Sequence, residues 1–171
     1  MITADAACEI ARHHVLTLGD DLKLFEEPII SGDFGWVFSF QSNVYIETND
    51  MRDALAGNAP ILVDRESGVV FTLGTAHEIE KYLQAYERFG DPHAEPGPTL
   101  ELVNWRTGVN KVAATKEIKV RAQLGLKDAK EAVDNCLNGQ KPLVRCADAE
   151  TADSLVRKLD AVGIVARQLA M

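Results

Sequence analysis

The sequence predicts an α+β chain built as two small domains, and three observations lead to that class. Three of the six prolines crowd into Asp91-Pro92-His93-Ala94-Glu95-Pro96-Gly97-Pro98. Proline fixes its own φ and biases the preceding residue toward extended backbone, so this stretch predicts a semi-rigid spacer. On either side, helical and strand periodicities are interleaved. Charge divides at the same place: residues 1–90 hold 6 Lys+Arg against 15 Asp+Glu, whereas residues 91–171 hold 12 against 11. The expected organisation is a domain at 1–90, a linker at 91–98 and a domain at 99–171, each domain large enough for its own core. The first is expected as a helix, antiparallel-sheet, helix unit. The second is expected as a three-stranded sheet with three helices on one face.

In the first domain, Ala7, Ile10, Ala11, His14 and Leu18 recur at the spacing of an amphipathic helix that Gly19 stops. Lys23 to Ile30 predicts a first strand, followed by a turn at Ser31-Gly32-Asp33. In Phe34-Gly35-Trp36-Val37-Phe38-Ser39-Phe40-Gln41 every even-numbered residue is aromatic. Such alternation predicts a strand laying one face on a core. Ile61–Asp64 and Val69–Leu73 flank Arg65-Glu66-Ser67-Gly68, a hairpin whose glycine stands where a short loop needs positive φ. Thr75-Ala76-His77-Glu78 has the spacing of a capping box for a helix burying Ile79, Leu83 and Tyr86, with Tyr82 beside them.

In the second domain the order is strand, helix, helix, strand, helix, strand. Leu100 to Trp105 is the first strand. Asn110 suits the cap of a helix over Lys111–Arg121. A second helix opens at Leu126 and stops at Asn138-Gly139. Leu143–Cys146 is a strand, and Asp148 caps a third helix burying Ala152, Leu155, Val156 and Leu159. After Gly163, Ile164–Leu169 closes the sheet.

Composition excludes several classes of function. With 46% hydrophobic and 26% charged residues, the chain is neither disordered nor membrane-spanning, and no apolar run approaches about 18 residues. Met1-Ile2-Thr3-Ala4-Asp5 lacks the basic and apolar regions of a secretion signal, so a cytoplasmic protein is expected. Cys8, Cys136 and Cys146 have no CxxC spacing and read as small buried residues in a reducing compartment. No HExxH, GxSxG, P-loop or GxGxxG motif occurs, and His13-His14 are adjacent and point to different sides of a helix. No catalytic residue, metal or cofactor is therefore expected. The net charge of -8 arises from the first domain, where residues 1–90 hold 6 Lys+Arg against 15 Asp+Glu, while residues 91–171 are nearly neutral. It disfavours nucleic acid and membrane partners and suits either a basic protein partner or plain solubility.

A resemblance can now be stated for each domain. Gly35-Trp36-Val37-Phe38, Ala54-Leu55-Ala56-Gly57-Asn58-Ala59-Pro60, the Val63-Asp64-Arg65 hairpin with Gly68, and Leu73-Gly74-Thr75 before Tyr82 resemble, in order and spacing, the immunity protein 35 family. These are small bacterial proteins encoded beside polymorphic toxins. The resemblance spans about residues 1–90 and implies neutralisation of a cognate toxin by tight binding. Asn110 to Val133 resembles, without a gap, the C-terminal domain of the bacterial ribosomal stalk protein, and this likeness spans about residues 99–170. That family recruits translational GTPases through its first two helices. The matching positions are Lys111, Val112, Lys116, Leu126 and Lys130, with Lys119 where the family usually has arginine. Thr115 replaces an apolar contact residue and Asp128 replaces glutamate. Val120 and Gln123 also depart from positions that are small or glycine in the family.

The basic site has support outside the resemblance. Lys111 and Lys127 stand in the first turns of their helices, where a cation costs about 0.3–1 kcal/mol. Joined by Lys116, Lys119 and Lys130, they form a patch that gains from an acidic partner. A solvated helix face diluted by Glu117, Asp128 and Glu131 is the competing account. In the first domain Glu47, Asp50, Asp64 and Glu66, expected on loops or hairpin tips, are the candidate partner-binding carboxylates. The expected function is an immunity protein against a toxin with a basic active-site surface. Its stalk-like domain would add a second contact to the toxin or to its translation-related target. The alternative is an adaptor that docks a translational GTPase or a protease component.

Overall fold

Residues 35–42 do not form one strand with a single buried face. In the computed structural model, which describes residues 1–171, they split into β3 (Gly35–Phe38) and β4 (Phe40–Ser42). Trp36, Phe38 and Phe40 face α1 (Ala4–Leu18), while Val37 faces the cluster formed with α3 (Ile79–Phe89). All four residues of β3 are buried, so the strand is covered on both sides and not one. Phe34, the fourth aromatic of the predicted stripe, joins Val37's cluster on the opposite side. The switch occurs at Gly35, whose φ of +138° no side chain readily adopts. A Cβ at that position would lie 2.0 Å from the Val63 carbonyl oxygen.

The chain forms two compact units, residues 1–93 and 94–171. The first contains α1, β1 (Leu22–Leu24), β2 (Ile30–Gly32), β3, β4, α2 (Asn43–Thr48), β5 (Ile61–Asp64), β6 (Val70–Thr72) and α3. Its main sheet is antiparallel in the order β2-β3-β5-β6, and β1 pairs with β4 in a separate two-stranded ladder. The predicted strand over residues 23–30 is therefore two strands of different ladders.

The buried stripe of α1 is Ala7, Ala11 and Val15, one residue in four. It differs from the expected stripe because Leu18 is half exposed and His14 sits at its margin, with Nε2 buried and unpartnered. Alanines at Ala7 and Ala11 let the helix lie close on the aromatic face. The expected capping box does not form. Helix α3 begins at Ile79, with Glu78 at the N-cap making no side-chain cap bond.

The hairpin between β5 and β6 forms as expected, with Gly68 at φ +72°. Asp64 ties its tip together, accepting from the Ser67 N–H at 2.7 Å, from the Ser67 hydroxyl, and from the Tyr86 hydroxyl at 2.6 Å. Partial burial pushes the Asp64 carboxyl up, but the bonds from Ser67 and Tyr86 together outweigh it and hold the group below the usual carboxylate range. Burial, and then the same bond to Asp64, push the Tyr86 phenol up.

The predicted spacer is absorbed by both units. His93 Nε2 lies 2.8 Å from the Thr72 carbonyl, and its ring meets Tyr82 edge-on at 5.5 Å. Pro96-Gly97-Pro98 opens β7 (Pro96–Trp105), four residues before the expected start of that strand. Proline is tolerated there because the pairing of β7 with β9 (Ile164–Ala170) is irregular between Pro96 and Leu100. The Pro98 carbonyl still accepts from the Cys146 N–H at 2.8 Å.

The second unit has the expected order of elements. β7 is the centre of an antiparallel sheet β8-β7-β9, where β8 is Leu143–Arg145. Helices α4 (Lys111–Arg121), α5 (Leu126–Leu137) and α6 (Ala149–Ala161) cover one face. Asn110 and Asp148 cap α4 and α6 by accepting from the Ala113 and Thr151 N–H groups. Leu100, Leu102, Ile118, Leu155, Leu159 and Ile164 are fully buried, each contributing about 1.5–3 kcal/mol of apolar burial. Gln168, nearly buried in β9, donates to the Gly97 and Ala149 carbonyls and so fastens the irregular start of β7 to the start of α6.

Two outcomes follow for the first unit. Gly35→Ala is expected to lose about 3 kcal/mol or more, because strain and a backbone clash coincide. Urea unfolding followed by Trp36 fluorescence reads it, and a loss under about 1 kcal/mol would contradict the close crossing. For Asp64, the folded carboxyl titrates below its unfolded value. Its stabilisation is therefore complete above the unfolded value and is lost as pH falls through the folded one. Tyr86→Phe should cost about 1 kcal/mol at neutral pH and should flatten the loss of stability on acidification. Unfolding curves at pH 7 and pH 3 test this, and an unchanged acid slope would argue against the bond.

Candidate functional site

Helices α4 and α5 run antiparallel, so the start of α4 lies beside the later turns of α5. Lys111 reaches Asp134 at 3.9 Å across that contact. Positions 111, 115 and 119, with 112 and 116 beside them, share one face of α4, because a spacing of four returns nearly to the same side. Positions 126, 130 and 134 do the same on α5. The opposite face of α4 is committed to the core through Ala114 and Ile118.

Between the two exposed faces runs a groove of about 490 Å³. The structure brings Lys111, Val112, Lys116, Lys119, Leu126 and Lys130 together as its lining, with Thr115 and Asp134 completing it. Asp134 was missed in the sequence, although it follows Leu126 and Lys130 at the same interval of four. Thr115 gives its hydroxyl to the Lys111 carbonyl at 2.8 Å, which leaves its methyl group for the groove.

The groove has an apolar base under a cationic rim. Val112 is 81% exposed and Leu126 62%, much as Val120 and Leu143 are outside the groove, and what distinguishes the pair is that both line one groove. Four lysines against one aspartate leave the lining at a net charge of +3. Only Lys111 has an ion-pair partner, and that exposed contact contributes about 1 kcal/mol at most. Lys127 and Asp128, in the first turn of α5, are exposed and stand outside the lining. Gln123, in the turn joining the helices, holds φ +55°, a conformation natural to the glycine expected at that place.

The four candidate carboxylates of the first unit do not form one patch. Asp64 pairs with Gly35 at one end of the β3–β5 ladder, and Glu66 follows in the hairpin tip. Glu47 and Asp50 come after β4, which continues the chain beyond Phe38 at the other end. Glu47 lies on α2 and not on a loop. Asp50 is bridged by Arg52 at 2.6 Å, and bonds from the Arg52 side chain and backbone hold its carboxyl low.

Burial raises the thiols of Cys8, Cys136 and Cys146, which lowers their thiolate fraction, and all three are unpaired. No group of three or more His, Cys, Asp or Glu side chains is placed to hold a metal ion. No helix is long and apolar enough to cross a membrane.

Comparison with known proteins agrees with both resemblances. The family model for immunity protein 35 matches residues 5–106, and that for the ribosomal protein L7/L12 C-terminal domain matches residues 101–167. The first match runs through β7, so it reaches past the break between the two units. "Uncharacterized protein YrhB" of Escherichia coli (strain K12) is 42% identical over 89 residues, which are 51% of this chain and 90% of that protein. The large ribosomal subunit protein bL12 of Clostridioides difficile (strain 630) is 38% identical over 74 residues, covering 43% of this chain and 59% of its own length. Its counterpart from Ralstonia pickettii (strain 12J) is 43% identical over 56 residues, covering 33% and 43% respectively. The chain thus spans about half the length of these two ribosomal relatives. No solved structure matches the chain significantly. Because the first family match covers more than half of its length, the chain belongs to the immunity protein 35 family.

Proposed function

We propose that the chain is an immunity protein that neutralises a cognate bacterial polymorphic toxin by direct binding in the cytoplasm, without catalysis. Membership of the immunity protein 35 family carries this reading. The charge of residues 1–90 supports it, since 15 carboxylates against 6 cations suit a basic active-site surface. The second unit adds a contact to the toxin or to a translation-related target, and the groove between α4 and α5 is the surface proposed for it. Burial of Val112 and Leu126 would contribute about 1.5–3 kcal/mol each, against about 0.2–1 kcal/mol for each rim lysine. The aliphatic pair therefore supplies most of the affinity, and the lysines supply orientation and on-rate. The acidic carboxylates Glu47, Asp50, Asp64 and Glu66 remain candidates of the first unit, acting as two separate pairs.

The groove also favours a second reading, in which the chain is an adaptor that docks a translational GTPase or a protease component. The stalk resemblance at Lys111, Val112, Lys116, Leu126 and Lys130 motivates it. The two readings give different results. Co-expression with the toxin encoded beside the gene should restore growth, and unrelieved killing would count against the immunity reading. In a pull-down with bacterial elongation factors, the full chain should retain a GTPase and Lys116→Glu should lose about 80% or more of it. Equal retention by both proteins, or none by either, would remove the translational contact.

A further inference from the structure

The edge of the first unit's sheet carries a feature that the groove does not explain. The Phe25 N–H bonds the Ser39 carbonyl at 3.0 Å, and the Ile29 N–H bonds the Val37 carbonyl at 2.8 Å. Residues four apart thus meet acceptors two apart, so two surplus residues bow out at Glu26-Glu27-Pro28. Pro28 has no N–H to leave unpaired, which makes it a suitable member of such a bow. The bow opens a cavity of about 260 Å³ against the first turns of α1. Trp36 and Phe38 lie at its base, Cys8 and Asp5 on its α1 side, and Glu26 and Glu27 on the bow.

Four further observations bear on what this concavity faces. No Lys or Arg lines it, although the Arg65 guanidinium stacks over the Trp36 ring at 4.3 Å from its centroid, and Arg12, just outside, is held by Glu9 and by Glu26 at 2.9 Å. Asp5 and Glu27 have no ion-pair partner. Phe25 and Ile29, where the bow leaves and rejoins the ladder, are 41% and 50% exposed. β1 and β2 each pair with a strand on one side only, so their outer backbone edges are unpaired in the sheets. Trp36 and Phe38 belong to the core against α1, so the features that a solvated acidic turn does not need are the exposed Phe25 and Ile29 beside unpaired carboxylates. A contact surface for a cation on an apolar stem uses both.

We propose that this concavity is a contact surface for a basic protein partner, one arginine or lysine of which enters between Asp5, Glu26 and Glu27 over Trp36 and Phe38. The stem of the entering side chain lies along the aromatic base, and its charged head meets the carboxylates. Arginine fits better than lysine, because its planar fork reaches two carboxylates at once. Phe25 and Ile29 close over the rim and exclude water from the contact. The identity of the partner as the toxin rests on the immunity reading above; the preference of the cavity for a cationic side chain does not.

Titration of the isotope-labelled full chain with N-acetyl-arginine methylamide, followed by NMR, tests the cavity directly. Saturable shifts are expected at the amides of Asp5, Cys8, Glu26 and Glu27 and at the Trp36 indole. Glu26→Gln/Glu27→Gln should weaken them about tenfold with unchanged thermal unfolding. The neutral isostere N-acetyl-citrulline methylamide should give none. Absence of saturable shifts, equal shifts with the citrulline compound, or shifts spread over Asp20 and Asp50 would overturn the assignment. With the toxin encoded beside the gene, the same double variant should protect cells at least tenfold less well than the wild type. If the wild type protects and the variant protects equally, this surface is wrong while the immunity reading stands. If the wild type itself gives no protection, the immunity reading fails and the toxin contact fails with it, whatever the titration shows.

Discussion

Residues 1–93 depend on the crossing of β3 and β5 at Gly35. There the backbones approach so closely that a Cβ would meet the Val63 carbonyl at 2.0 Å. That crossing brings Trp36 opposite Val63, Val37 opposite Leu62 and Phe38 opposite Ile61. A shift of one residue would exchange the two faces, sending Trp36 and Phe38 toward α3 and Val37 toward α1. Both helices are therefore registered by one strand. The bow at Glu26-Glu27-Pro28 inherits its position from the same ladder, since its two anchoring bonds end on Val37 and Ser39.

Residues 94–171 use a different device. The sheet face is filled by branched and aliphatic side chains, and α4 and α5 each divide their residues between that core and the groove. Such division leaves α4 weakly amphipathic, because Val112 is apolar on the outward side while Ala114 and Ile118 are apolar on the inward one. A helix apolar on two faces is poorly explained by folding alone. Lysine at the first position of α4 is unfavourable for the helix dipole, and Gln123 holds a left-handed backbone beside the same groove. Local rules broken together at one place support the proposal that the groove is a contact surface.

Legibility differed between the halves for physical reasons. In the second half the helix limits were readable, because Asn110 and Asp148 cap as short polar residues do and Gly139 follows the end of α5. The groove residues Lys111, Val112, Lys116, Leu126 and Lys130 came from the resemblance to the stalk domain, and their spacing on α4 and α5 accounts for their sharing one groove. In the first half the decisive facts are non-local. Lys23 to Ile30 looks like one strand until its hydrogen bonds are followed, and Glu26-Glu27 looks like surface charge until Pro28 lifts it over Phe38. Thr75 and Glu78 have capping-box spacing, yet helix α3 starts only after Glu78. Pro96-Gly97-Pro98 signalled a spacer, whereas an irregular ladder accepts proline as readily as a linker does. The four acidic candidates were chosen as residues of loops or hairpin tips, and the ladder places them at its two ends.

The magnitudes bear on why one chain would carry both surfaces. A groove contact of two aliphatic side chains and a few lysines amounts to several kcal/mol before the loss of rotational and translational freedom is deducted. Little remains after that deduction, about millimolar affinity at best, which falls short of the tight binding proposed for neutralising a toxin. Covalent attachment to a unit already bound changes the comparison. The second contact then forms at an effective concentration near millimolar, and two modest contacts can gain a factor of about 10² to 10⁴. A basic groove and an acidic cavity on one chain also reject different wrong partners, because each repels what the other attracts. On this argument the two units are more selective together than either surface made larger, since area alone adds affinity for many partners and opposite charge patterns add it for few.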